Sequence, residues 1–282
     1  MTHNMGKMLA RFREAQLPGI LRLRKLAEAG EMPAPWIFPG RGERPLFSRA
    51  LRGAGAPAVI AEYKRASPSR GVINLDLTPA DVARMYAANG AAAFSVLTEQ
   101  AHFQGNLDFL EAMAFAGKPM LRKDFLLDPA QVLETAATPA SALLLIMRMF
   151  PGADEVREML ELCAEHGLEA VCEVFDEADL DMARWAGASI IQVNNRDLDT
   201  LTTDLAVSRR LARTRGDGEV WISASGLETP DQLHEMADLG FDAVLIGTSL
   251  MSRPDPGAAL AELTGVAQAR RAALELAKKE GA

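Results

Sequence analysis

From about residue 57 onward the chain repeats one unit eight times: a short apolar run, a polar loop carrying Gly, Ser, Asn or Asp, then an amphipathic segment of helical period. The apolar runs are "AVIAEYK", "AAFSVL", "KPMLRK", "SALLLI", "LEAVCEV", "ASIIQVN", "EVWIS" and "FDAVLIG". They are rich in β-branched and aliphatic residues without strict alternation, as strands of a parallel sheet covered on both faces are. Segments such as "TPADVARMYAANG" and "TPDQLHEMADLG" open on Thr, begin with Pro and stop at Gly, residue types that suit the ends of a helix. Eight strand–helix units joined by right-handed crossovers close into a (β/α)8 TIM barrel, the fold expected here. A doubly wound open sheet is the runner-up, but it usually has fewer strands and a topological switch point that nothing in this sequence announces.

The length of 282 residues, of which 49% are hydrophobic, fits one such barrel better than two small domains. Residues 1–56 precede the repeat and are expected to form a helical extension of a single domain spanning 1–282. "MLARFREAQLPGILRLRKLAEAG" predicts a helix interrupted at Pro18-Gly19, "PAPWIFPGRGERP" a connector, and "LFSRALRGAG" a second helix. Some 50 residues make a meagre independent core, so the extension is expected to fold across one end of the barrel. "DPGAALAELTGVAQARRAALELAKKEGA" predicts a closing helix.

The formal charge of −8 argues against a nucleic-acid or anionic-membrane partner, either of which calls for a basic face. A small anion needs only a few cations focused in one cleft. Cys163 and Cys172 are too few for a disulfide framework and join no zinc-type cluster, so they are expected to be buried thiols. No run approaches the ~20 apolar residues of a membrane span, and the first residues lack the apolar centre of a signal peptide. A reducing cytoplasm is the expected setting.

Barrel enzymes build their sites at the C-terminal ends of the strands. The first strand end carries Glu62, Lys64 and Ser67; the third, in "RKDF", carries Lys123; the fifth carries Glu173. The sixth carries Asn194, Asn195 and Arg196, the seventh Ser223 and Ser225 in "SASG", the eighth Gly247 and Thr248 in "GTS". Alternation sends Glu62 and Lys64 to one side of the strand, toward the barrel mouth. A cation such as Lys123 in that mouth is costly unless a carboxylate or an anionic substrate compensates it.

A buried ionic plug without a catalytic task would explain the charges. It would not explain two Gly/Ser loops on the last two strands, where barrels often bind phosphate. Gly226 and Gly247 allow close backbone approach to an anion, Ser225, Thr248 and Ser249 add hydroxyls, and Lys64 adds charge across the mouth. His102 is expected to be a solvated loop residue, His166 and His234 surface residues, Trp185 and Trp221 packing residues, and "IMRMF" a strand end with its cover.

With those residues in place, "IAEYKRASPSRG", "SVLTEQAHFQGNLDFL", "PMLRKDFLLDPAQV", "VNNRDL", "SASGL" and "VLIGTSLM" together resemble the indole-3-glycerol phosphate synthase family over about residues 45 to 260. The resemblance implies a barrel with an N-terminal helical extension. It implies conversion of 1-(2-carboxyphenylamino)-1-deoxyribulose 5-phosphate to indole-3-glycerol phosphate in tryptophan biosynthesis, with no metal or organic cofactor. It assigns Lys123 as general acid in ring closure, Glu173 to acid–base chemistry in dehydration, and Glu62 to orienting Lys123 or sharing its charge. Lys64, Ser67, Asn194, Arg196 and Ser225 would position carboxylate, hydroxyls and phosphate, and Ser225, Gly226, Gly247 and Thr248 would form the phosphate pocket. Phe103 and Phe125 would wall the aromatic part of the substrate.

Two positions depart from the family pattern: Ala224 stands where a glutamate is usual, and Phe175 where Asn or His is more often found. They motivate an alternative, a phosphate-sugar-binding paralogue with altered or lost turnover. An isomerase of the neighbouring pathway step would want a cysteine base where the first strand carries Glu62 and Lys64. A monomer is expected, with association with other tryptophan-pathway enzymes left open.

Overall fold

The structure, a computed structural model, describes residues 6–40, 42–52 and 57–265. Eight parallel strands close into a barrel: β1 Ala58–Tyr63, β2 Ala93–Leu97, β3 Met120–Lys123, β4 Ala142–Ile146, β5 Glu169–Val174, β6 Ile190–Asn194, β7 Val220–Ala224 and β8 Ala243–Ile246. Each apolar run of the sequence supplies one strand, and β8 pairs back onto β1 through Ala58 and Ala243. The helices between them include α3 Pro79–Ala88, α4 Asp108–Met113, α5 Pro129–Ala136, α6 Ala153–Glu165, α7 Glu177–Ala186, α8 Ala206–Leu211, α9 Pro230–Asp238, α10 Thr248–Met251 and α11 Pro256–Leu263. Thr78, Asp128, Asp176, Thr229 and Asp255 cap helix N-termini with their side chains, satisfying N–H groups that have no partner within the helix.

The "RKDF" motif is resolved by the pleat. Arg122 lies on the helix side of β3, where it donates to Glu134 (2.8 Å) and Thr135 (2.8 Å) of α5. Lys123 points the other way, into the barrel mouth. Asp124 accepts from Thr98 Oγ1 at 2.5 Å and from the Phe125 N–H at 2.8 Å. Burial raises its pKa, against the opposing pull of Arg122 and these hydrogen bonds.

Two helices precede the barrel, α1 Lys7–Ala29 and α2 Phe47–Arg52. The expected interruption at Pro18-Gly19 is absent: α1 runs unbroken through Pro18. Pro18 and Glu14, whose carbonyl loses its N–H partner, both face solvent, while Leu9, Phe12, Ile20 and Leu23 anchor the opposite face. Water can satisfy the freed carbonyl, and burial on both sides of the proline holds the helix together.

The extension covers both ends of the barrel rather than the one end expected: α1 packs at the mouth and α2 at the start of the strands. The N-terminal end of α1 reaches the loop after β6, where the Met8 N–H donates to Asp199 (3.1 Å). Farther along, Gln16 donates to Asp124 (3.1 Å), and Arg24 to Asp128 at the start of α5 (2.8 Å). The chain then descends beside α5, the Trp36 N–H donating to the Ala136 carbonyl (2.9 Å). Below, α2 buries Phe47 and Leu51 and ties to the start of β5 through the Ser48 N–H and Glu169 (3.0 Å).

Cys163 and Cys172 are buried thiols, and burial raises Cys163 to about 12. Trp221 packs as expected, but Trp185 is 78% exposed, because it sits at the solvent face of α7 and engages Arg157 only through its carbonyl. Of the expected closing helix, Pro256–Leu263 is helical and residues 266–282 lie outside the described residues. No helix among the described residues is long and apolar enough to cross a membrane.

Candidate active site

A cavity of about 690 Å³ occupies the C-terminal mouth. Glu62, Lys64, Ser67, Phe103, Lys123, Phe125, Glu173, Asn194, Arg196, Ser225, Gly226, Gly247 and Thr248 all line it. Residues from seven strand ends and their loops therefore face one space.

Two ion pairs cross its floor. Lys64 Nζ lies 2.6 Å from Glu62 Oε1, and Lys123 Nζ lies 3.3 Å from Glu173 Oε2. Of the two roles expected of Glu62, orienting Lys123 or sharing its charge, no hydrogen bond supports the first: the bond goes to Lys64, two residues along the same strand side and within easier reach. Lys123 still acts on Glu62 through space. Burial disfavours the Glu62 carboxylate, but the charges of Lys64 and then Lys123, with hydrogen bonds from Lys64 and Ser95, outweigh it and lower the pKa overall. Glu62 and Glu173 are both 2% exposed, so removing either ammonium partner would leave a buried carboxylate uncompensated.

Across the mouth lie the loops after β7 and β8. Ser225 adopts φ 71° and Gly226 φ 79°, turning the backbone sharply back over the barrel. A Cβ on Gly226 would fall 2.3 Å from Thr203 Cγ2, and one on Gly247 would fall 2.3 Å from Glu62 Oε1. Gly247 thus makes room for the Glu62 carboxylate, a constraint beyond the close anion approach expected of it. Among the described residues, the N–H groups of Gly226, Thr248 and Ser249 have no hydrogen-bond acceptor. Such inward-exposed amides, with the Ser225 and Thr248 hydroxyls, form a cradle for an anion.

An apolar wall completes the cavity. Phe12 of α1 stacks on Phe125 with ring centroids 4.1 Å apart and 18° between planes, and both rings contact Phe103. Phe12 and Met8, which also lines the cavity, were missed from sequence; the apolar face of α1 was legible, but not the surface it would cover. Buried Glu99 was missed as well. It accepts from the N–H groups of Ala101 (3.1 Å), His102 (2.7 Å) and Phe103 (3.0 Å), folding the loop that presents Phe103. His102 is not the solvated residue expected: Nδ1 contacts Glu99 at 3.1 Å and its ring packs edge-on against Phe12. Asn195 belongs to the scaffold, bonding Ser223 and the Ala224 carbonyl (each 3.0 Å).

The two departures separate. Ala224 lines the cavity, so the carboxylate usual at that position is missing from the floor. Phe175 does not line it. Its ring lies against the Arg148 guanidinium, 4.6 Å away, outside the mouth, and Arg148 is itself paired with Asp176 and Asp179.

The model of the indole-3-glycerol phosphate synthase family matches residues 41–263. The chain is 43% identical over 216 residues to the indole-3-glycerol phosphate synthase of Desulfosudis oleivorans, covering 76% of this chain and 82% of the relative. It is 42% identical over 240 residues to that of Chlorobaculum tepidum, covering 84% and 90%. Among solved structures, 3-hexulose-6-phosphate synthase from Salmonella typhimurium superposes with a TM-score of 0.59 at 14% identity, covering 74% of this chain and 97% of that one; this likeness is one of fold. The motifs, the barrel and the sequence matches converge: the chain belongs to the indole-3-glycerol phosphate synthase family.

Proposed function

We propose that this chain acts as an indole-3-glycerol phosphate synthase, closing the pyrrole ring of 1-(2-carboxyphenylamino)-1-deoxyribulose 5-phosphate with loss of carbon dioxide and water. The observation that carries this reading is a single cavity in which the Lys123–Glu173 pair faces an aromatic wall and a cradle of unpaired amides. The substrate has matching parts: an aromatic acid, a ketone that must be protonated, and a phosphate ester.

In ring closure the ring carbon bearing the carboxylate attacks the ketone carbon, and the carbonyl electron pair moves onto oxygen. The Lys123 ammonium gives that oxygen a proton, stabilising charge that appears only as the bond forms. The carbon–carboxylate bond then breaks, carbon dioxide leaves, and its electron pair restores the aromatic ring. In dehydration the new hydroxyl leaves as water with a proton from an ammonium of the mouth. Glu173 takes the proton from the neighbouring CH₂, forming the last double bond.

Glu62 holds Lys64 and shares the field of Lys123. Lys64, Ser67, Asn194 and Arg196 position the carboxylate and hydroxyls. Ser225, Gly226, Gly247 and Thr248 hold the phosphate, and Phe12, Phe103 and Phe125 wall the aromatic ring. Incubating the purified protein with the substrate should generate indole fluorescence. No turnover above that of Lys123→Ala would reject the assignment.

Ala224 on the cavity floor supports a second reading, a phosphate-sugar-binding paralogue with reduced or lost turnover. It predicts that wild type binds without forming product and that Ala224→Glu restores activity; an active wild type excludes it. Phe175, turned away from the cavity, gives this reading no support.

A further inference from the structure

One buried amide in the barrel interior touches the proposed acid–base machinery without lining the cavity. Gln192, in the middle of β6 and fully buried, lies in register with Glu173 of β5. Its Nε2 donates to Glu173 Oε2 at 2.5 Å, the same oxygen that faces Lys123 Nζ. Its Oε1 is buried with no hydrogen-bond partner among the described residues. An ionised carboxylate only accepts hydrogen bonds, so the amide must present its nitrogen to Glu173 in that state. A protonated carboxyl has an O–H to donate, and the amide, turned over, would accept it on Oε1.

We propose that Gln192 is a positioning residue that holds Glu173 in both of its protonation states, donating to the carboxylate and accepting from the carboxylic acid after a turn of the amide. This rests on the reading of Glu173 as the group that takes and returns a proton. A lysine or arginine at position 192 could serve only the ionised form, and an aliphatic residue neither. The amide serves both without adding charge to the barrel interior.

The other charged groups that face Glu173 come from known directions. Lys123 approaches from β3 at 3.3 Å, and the Glu62–Lys64 pair lies across the floor on β1. Glu99, Arg70, Asp124, Arg196 and Glu228 stand around the cavity, while β4, β7 and β8 present only uncharged residues to it. None of these replaces the Gln192 hydrogen bond. Its removal disfavours the ionised form of Glu173, so the proton stays on to higher pH.

The test compares wild type with Gln192→Met, which keeps length and burial but lacks the amide. The acid limb of the kcat–pH profile should move up by about one to two pH units, the expected size for losing a hydrogen bond to a charged group, with KM within about twofold as befits a residue that does not touch substrate. An unmoved limb in a folded variant overturns the proposal. A second measurement needs neither turnover nor that variant. In infrared titration of the ligand-free wild type, the glutamine amide carbonyl band should shift together with the Glu173 carboxyl band, and both changes should vanish in Glu173→Gln. A carboxyl band that titrates with no amide response overturns the proposal even if the enzyme is active. An inactive wild type with the coupled bands would reject the synthase reading alone.

Discussion

The two ends of this barrel are closed by the same N-terminal extension, yet they are built on opposite principles. At the underside α2 inserts Phe47 and Leu51, 0% and 2% exposed, against strands that begin with small and aliphatic residues such as Ala58, Ala93 and Ala243. At the mouth α1 lays Phe12 on Phe125 but leaves an open chamber whose floor carries two buried ion pairs. Buried ion pairs are weak contributors to stability, since desolvation offsets much of their attraction. The difference teaches that the underside carries stability, and that the mouth retains costly charges which stability alone does not require.

That division can be broken by substitution. Lys123→Ala should lower kcat by about 10³-fold, within the range for loss of a general acid, while thermal unfolding stays near that of wild type; a collapse in stability instead would make the pair structural. Phe47→Ala should do the reverse, costing about 3–5 kcal/mol in denaturant unfolding as large-to-small core changes do, with KM of the folded fraction unchanged. Phe12→Ala sits between the two. It should raise KM by about tenfold, the equivalent of ~1.4 kcal/mol of lost contact, with little loss of kcat.

The smallest effect concerns pH. Glu62 has a folded-state pKa below its ordinary value, because its ammonium neighbours outweigh burial. Its contribution to stability is therefore fully present above the ordinary carboxylate range and is lost as pH falls through the lower folded value. Melting curves should show the gap between wild type and Glu62→Gln closing as pH drops below about 4.5, the unperturbed value. A gap that widens toward acid would mean that Glu62 is held neutral.

The barrel was legible because its signals are local and repeated: strand composition recurs in every unit, and side-chain caps and glycine stops recur in several of them. The floor residues were legible for a related reason, since each lies at a strand end whose position the repeat defines. What the sequence hid was tertiary. Nothing local in α1 says that Phe12 meets Phe125 from more than a hundred residues away, or that Pro18 falls on the solvent side where a helix can absorb it. The partner of Glu62 was hidden as well, because Lys64 and Lys123 are both cations at strand ends and only side-chain reach separates them. Gln192 passed unnoticed as one polar residue inside an apolar run, although a buried amide in a strand requires a hydrogen-bonding partner.

The most direct test is a crystal structure with indole-3-glycerol phosphate bound. The phosphate should lie on the amides of Gly226 and Thr248 and the indole against Phe125 and Phe12, with Lys123 and Glu173 both within reach of the ring formed in the reaction. A product molecule whose phosphate lies elsewhere, or which contacts only one member of the Lys123–Glu173 pair, would contradict this arrangement.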